Sequence, residues 1–228
     1  MRFYDFIYKM FHRPVTALFR VTETGAENVP DEGGYLLCSN HTSLTDVMVI
    51  PAMLKVRRPK FMAKKELFKI PLLKQLITAL GAFPVDRGGA DVGAIKKAIS
   101  LIGQGEIVSM FPQGHRFSGV DARGTTVHHG CGLIAYRAKC PVIPVYIKTK
   151  AKQVKPFRRT EVIFGKPIMP EEFAFTEGGS EEYKRAAALI FDRICDLGEP
   201  ETALSAPAEK SALPEAAPST PDKPEADE

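Results

Sequence analysis

No stretch of the 228-residue sequence reaches the ~18 unbroken apolar residues that a helix needs to span a bilayer, so no crossing helix is expected. Cysteine is scarce. Cys38, Cys131, Cys140 and Cys195 are scattered without CxxC spacing in a chain too large to need disulfide staples, so free, buried thiols are expected in place of a bridge framework or a zinc site. HExxH is absent, and the adjacent pair His128 and His129 would point to opposite sides of an extended segment, so no metal is implied. A GxSxG elbow is also missing, and Ser43, Ser109 and Ser118 lack flanking glycines, which argues against a serine nucleophile. No repeat occurs at solenoid periods. RNP, KH and helix-turn-helix signatures are lacking too, so nucleic acid is not an expected partner.

What is present is a globular composition, 44% hydrophobic and 25% charged, at a length that suits one well-buried domain. The formal charge of +4 hides an asymmetry: residues 198–228 carry eight acids against Lys210 and Lys223, which leaves +10 on residues 1–197. That surplus favours anionic partners such as anionic lipid or phosphorylated substrates. From Gly198 onward Pro, Ala, Ser and Glu dominate, with too little apolar surface to offset the entropy of ordering, so a disordered acidic tail is expected. The start, MRFYDFIYKMFHRPVTALFRV, is interrupted by polar residues every few positions and lacks a small-residue cleavage site. It reads as no signal peptide, and a cytoplasmic location is expected. The expected organisation is an N-terminal amphipathic segment at 1–21, one domain at 22–197 and a tail at 198–228.

Short apolar runs alternate with amphipathic stretches. Strands are predicted at Gly34–Cys38, Ala82–Val85, Ile107–Phe111, Val142–Lys148 and Glu161–Phe164, and helices at Ser43–Met53, Lys65–Leu80, Val92–Ile102, Gly132–Ala138 and Ser180–Cys195. This alternation predicts an α/β fold, a mixed central sheet flanked by helices in a single domain. Gly130-Cys131-Gly132-Leu133-Ile134-Ala135 fits a relaxed dinucleotide fingerprint, but no acid for a ribose follows about 20 residues on. It is read as a packing motif at a helix start.

Two segments mix cations with apolar residues. In the first twenty, Phe3, Phe6, Ile7, Met10 and Phe11 fall near one helical stripe, with Pro14 expected to interrupt the helix. Such a segment suits either an interfacial membrane anchor or an ordinary helix docked on its own domain. From Lys55 to Lys74, eight Lys and Arg face Glu66 alone, among Phe61, Leu67, Phe68, Ile70, Leu72 and Leu73. That mixture fits an anionic lipid surface, and a solvated basic face is the plain alternative.

The sharpest chemical signal is Asn40-His41-Thr42-Ser43-Leu44-Thr45-Asp46, at the end of a predicted buried strand, where α/β folds present side chains to ligands. A carboxylate five residues after a histidine, across the first helical turn, can accept one ring N–H and leave the other nitrogen as a base. Ser43-x-x-Asp46 also fits a helix-capping box, which would explain Asp46 without catalysis. Gly81–Arg87 and Met110–Arg116 each end an apolar strand in a turn that presents an arginine, a bidentate partner for phosphate, and Gly114 would let backbone N–H groups approach an anion.

Taken in order, these residues resemble the lysophosphatidate (1-acylglycerol-3-phosphate) acyltransferase family, the PlsC-like glycerolipid acyltransferases. His41 to Asp46 in NHTSLTD match the family's HxxxxD box, Phe83 to Arg87 in FPVDR the second block, Phe111 to Ser118 in FPQGHRFS the third, usually FPEGTRS, and Val142 to Val145 the apolar VIPV strand. Together with FMAKKELF and GLIAYRAKCPVIPV, the resemblance covers roughly residues 26 to 170. It implies that His41, oriented by Asp46, deprotonates the free hydroxyl of 1-acylglycerol-3-phosphate for attack on an acyl thioester, giving phosphatidate in phospholipid biosynthesis. It implies further that Arg87, Gly114, His115 and Arg116 bind the acceptor phosphate, while Phe111, Pro112, Gln113 and Pro144 support the site. The thioester would be acyl-CoA or acyl carrier protein, with no other cofactor, and the enzyme would sit peripherally on the cytoplasmic, anionic face of the cell membrane. Gln113 and His115 depart from the family's Glu and Thr, so a different lysolipid acceptor is an alternative. So is a basic, non-catalytic membrane-binding module. On this reading Gln113→Glu leaves activity within about tenfold, and a larger loss would mean that Gln113 is tuned to one acceptor.

Overall fold

The computed structural model describes residues 3–54, 57–86 and 91–199. Arg87, Lys55 and residues 200–228, which hold most of the expected tail, lie outside the described residues. The elements run α1 (Phe3–Leu18), β1 (Val21–Thr24), β2 (Tyr35–Ser39), α2 (Asp46–Met53), β3 (Lys60–Lys64), α3 (Pro71–Ala79), β4 (Phe83–Val85), α4 (Val92–Gly103), β5 (Ile107–Met110), α5 (Gly130–Ala138), β6 (Val142–Thr149), β7 (Thr160–Phe164) and α6 (Ser180–Asp196).

Seven strands form one sheet in the order β1-β7-β6-β2-β5-β3-β4. Every neighbouring pair is parallel except β6 and β7, which are antiparallel, so the sheet is mixed as expected. β2 lies at its centre and is buried along its whole length. Its pleat feeds two cores. Leu36 and Cys38 pack with Ile134, Ile190 and Ile194 of α5 and α6, while Tyr35 and Leu37 pack with Val49 and Ile50 of α2 and with Val15 of α1. Strand β6, between β7 and β2, supplies Val142 to the first core and Ile143, Val145 and Ile147 to the second. All four cysteines are buried and free.

Three expectations are corrected. Helix α1 runs through Pro14 without a break. The proline gives up one intrahelical bond to the Met10 carbonyl, but packing holds the helix on both sides of it: Tyr8 Oη donates to Ala52 O at 3.2 Å and lies under Arg58, while Val15 and Phe19 are buried. The predicted helix Lys65–Leu80 is two pieces, a 3₁₀ turn at Lys65–Lys69 and then α3, because Pro71 biases Ile70 to extended backbone and takes the first helical position. The basic tract also conceals a strand, β3, whose Phe61 is buried although Lys60 and Lys64 flank it. Strand β1 likewise has no period stronger than its four residues, and its pairing with β7 alone defines it.

The packing motif behaves as read. A Cβ on Gly132 would lie 2.1 Å from the Tyr183 carbonyl oxygen, so α5 and α6 meet at a glycine. Glu199, the last described residue, which composition places in the tail, accepts from Arg123 Nε at 2.6 Å.

Candidate active site

The site is assembled where β2 ends. Asn40 continues the strand's pairing with its side chain, accepting from Ile147 N at 2.7 Å and donating to Ile147 O at 3.2 Å. The backbone thereby leaves the sheet in a fixed direction, and the next residue is His41, only 6% exposed.

His41 Nδ1 lies 2.8 Å from Asp46 Oδ2. A carboxylate can only accept, so Nδ1 carries the proton and Nε2 presents its lone pair. Asp46 is fully buried, and its charge is met by donors: Thr42 N at 2.6 Å and Ser43 N at 2.9 Å on Oδ2, and Thr42 Oγ1 at 3.2 Å on Oδ1. Helix α2 begins at this same residue, where the positive end of the helix dipole further favours a carboxylate. The capping box is only half formed: Asp46 accepts from Ser43 N, but the helix begins at Asp46 with Thr45 before it, and Ser43 Oγ accepts from Thr45 N at 3.3 Å in place of Asp46 N. The side chain ties the turn before the helix and orients the imidazole with the same oxygen.

The loop after β5 clamps this turn from above. Phe111 stacks on the His41 ring with centroids 3.9 Å apart at 10°. Gln113 Oε1 accepts from His41 N at 2.6 Å, Phe117 N donates to His41 O at 2.9 Å, and Ser118 Oγ donates to Thr42 O at 2.6 Å. Gln113 is 1% exposed. Since the His41 N–H can only donate, the amide oxygen must face it. Nε2 then donates to Thr125 Oγ1 at 2.7 Å, and Thr125 in turn donates to Ala122 O at 2.6 Å. The position expected to sense the acceptor thus looks inward, onto the backbone of the histidine.

Gly114 turns the chain with φ +67°, and a Cβ there would lie 2.6 Å from the His128 ring. Beyond it His115 and Arg116 are exposed at the same strand end, with His115 edge-on to His128 at 6.2 Å. Pro112 accepts from His128 N at 2.9 Å, which joins this turn to the start of α5. Pro144 stands apart: it is buried within β6, opposite Cys38, and its carbonyl accepts from Gly165 N at 2.8 Å. Arg87 lies outside the described residues, although β4 brings Asp86 to the same end of the sheet. Asn40, Phe117 and Ser118 fall inside the quoted motifs but carry no assigned role there, and Thr125 is not singled out by the sequence. Only Asn40, a short polar side chain closing an apolar run, left a local signal.

A cavity of about 180 Å³ opens beside His41, lined by Asn40, Thr42, Phe117, Val120, Tyr146 and Lys148 among others. A larger one, about 390 Å³, lies at the opposite ends of β2 and β5, next to Tyr35 and Ile107. The smaller cavity is the better candidate, because it alone holds a polarised base. Among the described residues no helix is long and apolar enough to cross a membrane.

A histidine–carboxylate pair set at the carboxyl end of a central strand, beside a cavity, defines an α/β protein with a candidate general base. The chain belongs to the acyltransferase family, whose model matches residues 20–148 and so spans the first three blocks and all but the last residue of β6. It is 30% identical over 150 residues to the 1-acyl-sn-glycerol-3-phosphate acyltransferase of Bacillus subtilis, covering 65% of this chain and 73% of the relative. To the protein of the same name from Streptococcus pneumoniae it is 32% identical over 146 residues, 62% of this chain and 53% of that one. The fold is shared with the crystal structure of the 1-acyl-sn-glycerophosphate (LPA) acyltransferase PlsC from Thermotoga maritima, at a TM-score of 0.62 and 23% identity over 92% of this chain and 86% of that chain.

Proposed function

We propose that the chain transfers an acyl group from a thioester, acyl-CoA or acyl carrier protein, to the free hydroxyl of 1-acylglycerol-3-phosphate, at an anionic membrane surface. The observation that carries this reading is the His41–Asp46 contact at 2.8 Å, with Asp46 held by two backbone N–H groups and His41 lining a cavity. The names of the relatives supply the acceptor.

In this reading His41 Nε2 takes the proton of the acceptor hydroxyl as its oxygen attacks the thioester carbonyl carbon. Asp46 stabilises the imidazolium that forms. Collapse of the tetrahedral intermediate breaks the C–S bond, and the imidazolium returns its proton to the departing thiolate. The products are an ester and a free thiol, with no acyl-enzyme. Arg116, His115 and the Gly114 turn, with Arg87, would hold the acceptor phosphate, and the exposed apolar face of α1 would rest on the membrane. Phe6, Met10 and Phe11 of that helix are each about half exposed, which supports such a contact.

The test is product identity. Purified protein incubated with acyl-CoA or acyl carrier protein and a panel of lysolipids should yield phosphatidate from lysophosphatidate, read by mass spectrometry. Acylation of another lysolipid in its place would move the acceptor, and consumption of neither donor with any acceptor would refute the transferase reading.

A further inference from the structure

Beyond the site, the loop that joins β6 to β7 combines features that the fold itself does not use. From Thr149 to Thr160 it carries Lys150, Lys152, Lys155, Arg158 and Arg159 and not one acid. Lys152 pairs with Asp121 at 2.8 Å, and the other four cations form no ion pair among the described residues. Among them Phe157 is 75% exposed, and its φ is +61°. A bulky side chain rarely occupies that left-handed region, and an aromatic ring rarely stands so far into water, so one residue combines two unfavourable features. Its backbone is tied to the fold by Phe157 N, which donates to Leu18 O at 2.6 Å. That bond joins the loop to the carboxyl end of α1, where Leu18 is itself 38% exposed and where Phe11, one stretch back, is 46% exposed.

The loop also lies at the catalytic end of the sheet. β6 runs parallel to β2, and Ile147, two residues before the loop begins, is the partner of Asn40 next to His41. Lys148 and Lys152 line the cavity that holds His41.

We propose that the β6–β7 loop is a membrane-inserting wedge: Phe157 enters the boundary between headgroups and acyl chains of an anionic bilayer, and Lys150, Lys155, Arg158 and Arg159 bind the lipid phosphates around it. An acidic protein partner would be served by the cations alone. A bilayer is matched by the cations together with the aromatic tip and its continuation into the exposed apolar residues of α1. The inference rests on the reading that the acceptor is a membrane lipid, and it names the element that brings His41 to the surface from which such an acceptor is drawn.

The experiment is co-sedimentation of the full chain with vesicles of phosphatidylcholine alone and of phosphatidylcholine with one third phosphatidylglycerol. Phe157→Gly is the informative variant, because glycine adopts φ +61° without strain and should leave the melting temperature equal or higher. It should weaken binding to the anionic vesicles about tenfold, and the double variant Arg158→Gln with Arg159→Gln should weaken it at least tenfold while erasing much of the preference for anionic lipid. Phe157→Gly that binds as the wild type does would overturn the wedge. So would intact vesicle binding by that variant coupled to a lower kcat/KM for acyl carrier protein, which would make the loop a dock for the donor. A wild type that binds neither vesicle removes the wedge and the membrane reading together, and acyl transfer to a water-soluble, short-chain acceptor then reports separately whether the transferase stands.

Discussion

Asp46 accepts four hydrogen bonds while fully buried, three of them on the oxygen that faces His41. Such a carboxylate cannot swing away from the ring, so the imidazole is held in one tautomer and one orientation before any substrate arrives. Asp46→Asn keeps the shape and removes the charge that stabilises the imidazolium. Steady-state kinetics should show kcat lowered about 10²-fold or more with KM nearly unchanged. Gln113 acts on the same histidine from its backbone. In Gln113→Glu the carboxylate still accepts from His41 N, and Thr125 can turn its hydroxyl toward it, because the Ala122 carbonyl keeps the Thr125 N–H as a donor; the cost lies in placing a carboxylate at a buried position. Activity should stay within about tenfold. Gln113→Leu leaves both His41 N and Thr125 without the amide. It should destabilise the fold by about 2–3 kcal/mol in denaturant titrations and cut kcat further than the Glu variant does.

At the level of elements, the segments that sequence describes well are those whose own pattern carries them. β2 and β6 are unbroken apolar runs, and α4 and α6 show clean helical spacing, and all four lie within a residue or two of their expected bounds. β1 and β3 were illegible for a physical reason: their strand character comes from pairing with β7 and β5, which no local window contains. The dyad was legible because both partners fall within one turn, His41 to Asp46. The clamp over it was not, since Phe117, Ser118 and Gln113 meet residues 41 and 42 only after the chain has returned through β5. Gly132 is the exception that a motif anticipated. Its close contact with α6 predicts that Gly132→Ala, by forcing the Tyr183 carbonyl away, costs about 3 kcal/mol of unfolding free energy, visible as a lower denaturation midpoint with an unchanged m-value.

For the whole molecule, the parallel order β6-β2-β5 sets three carboxyl ends side by side, so that the ends of β2 and β5 and the loop after β5 converge on one histidine. The sheet is buried on both sides by two cores, and the site stands at the end of its central, fully buried strand. The acidic, Pro- and Ala-rich stretch at 204–228 lies outside the described residues, and its composition gives it little apolar surface to bury. Its removal should leave turnover within about twofold in the same assay, and a much larger loss would assign it a role in the reaction. The central claim is that His41 is the base for acyl transfer from a thioester. It is tested most directly by thiol release from acyl-CoA and from acyl carrier protein, with and without lysophosphatidate, for the wild type and for His41→Ala. The account predicts release that requires the acceptor and falls about 10²-fold or more in the variant. Acceptor-dependent release that survives in His41→Ala would contradict it.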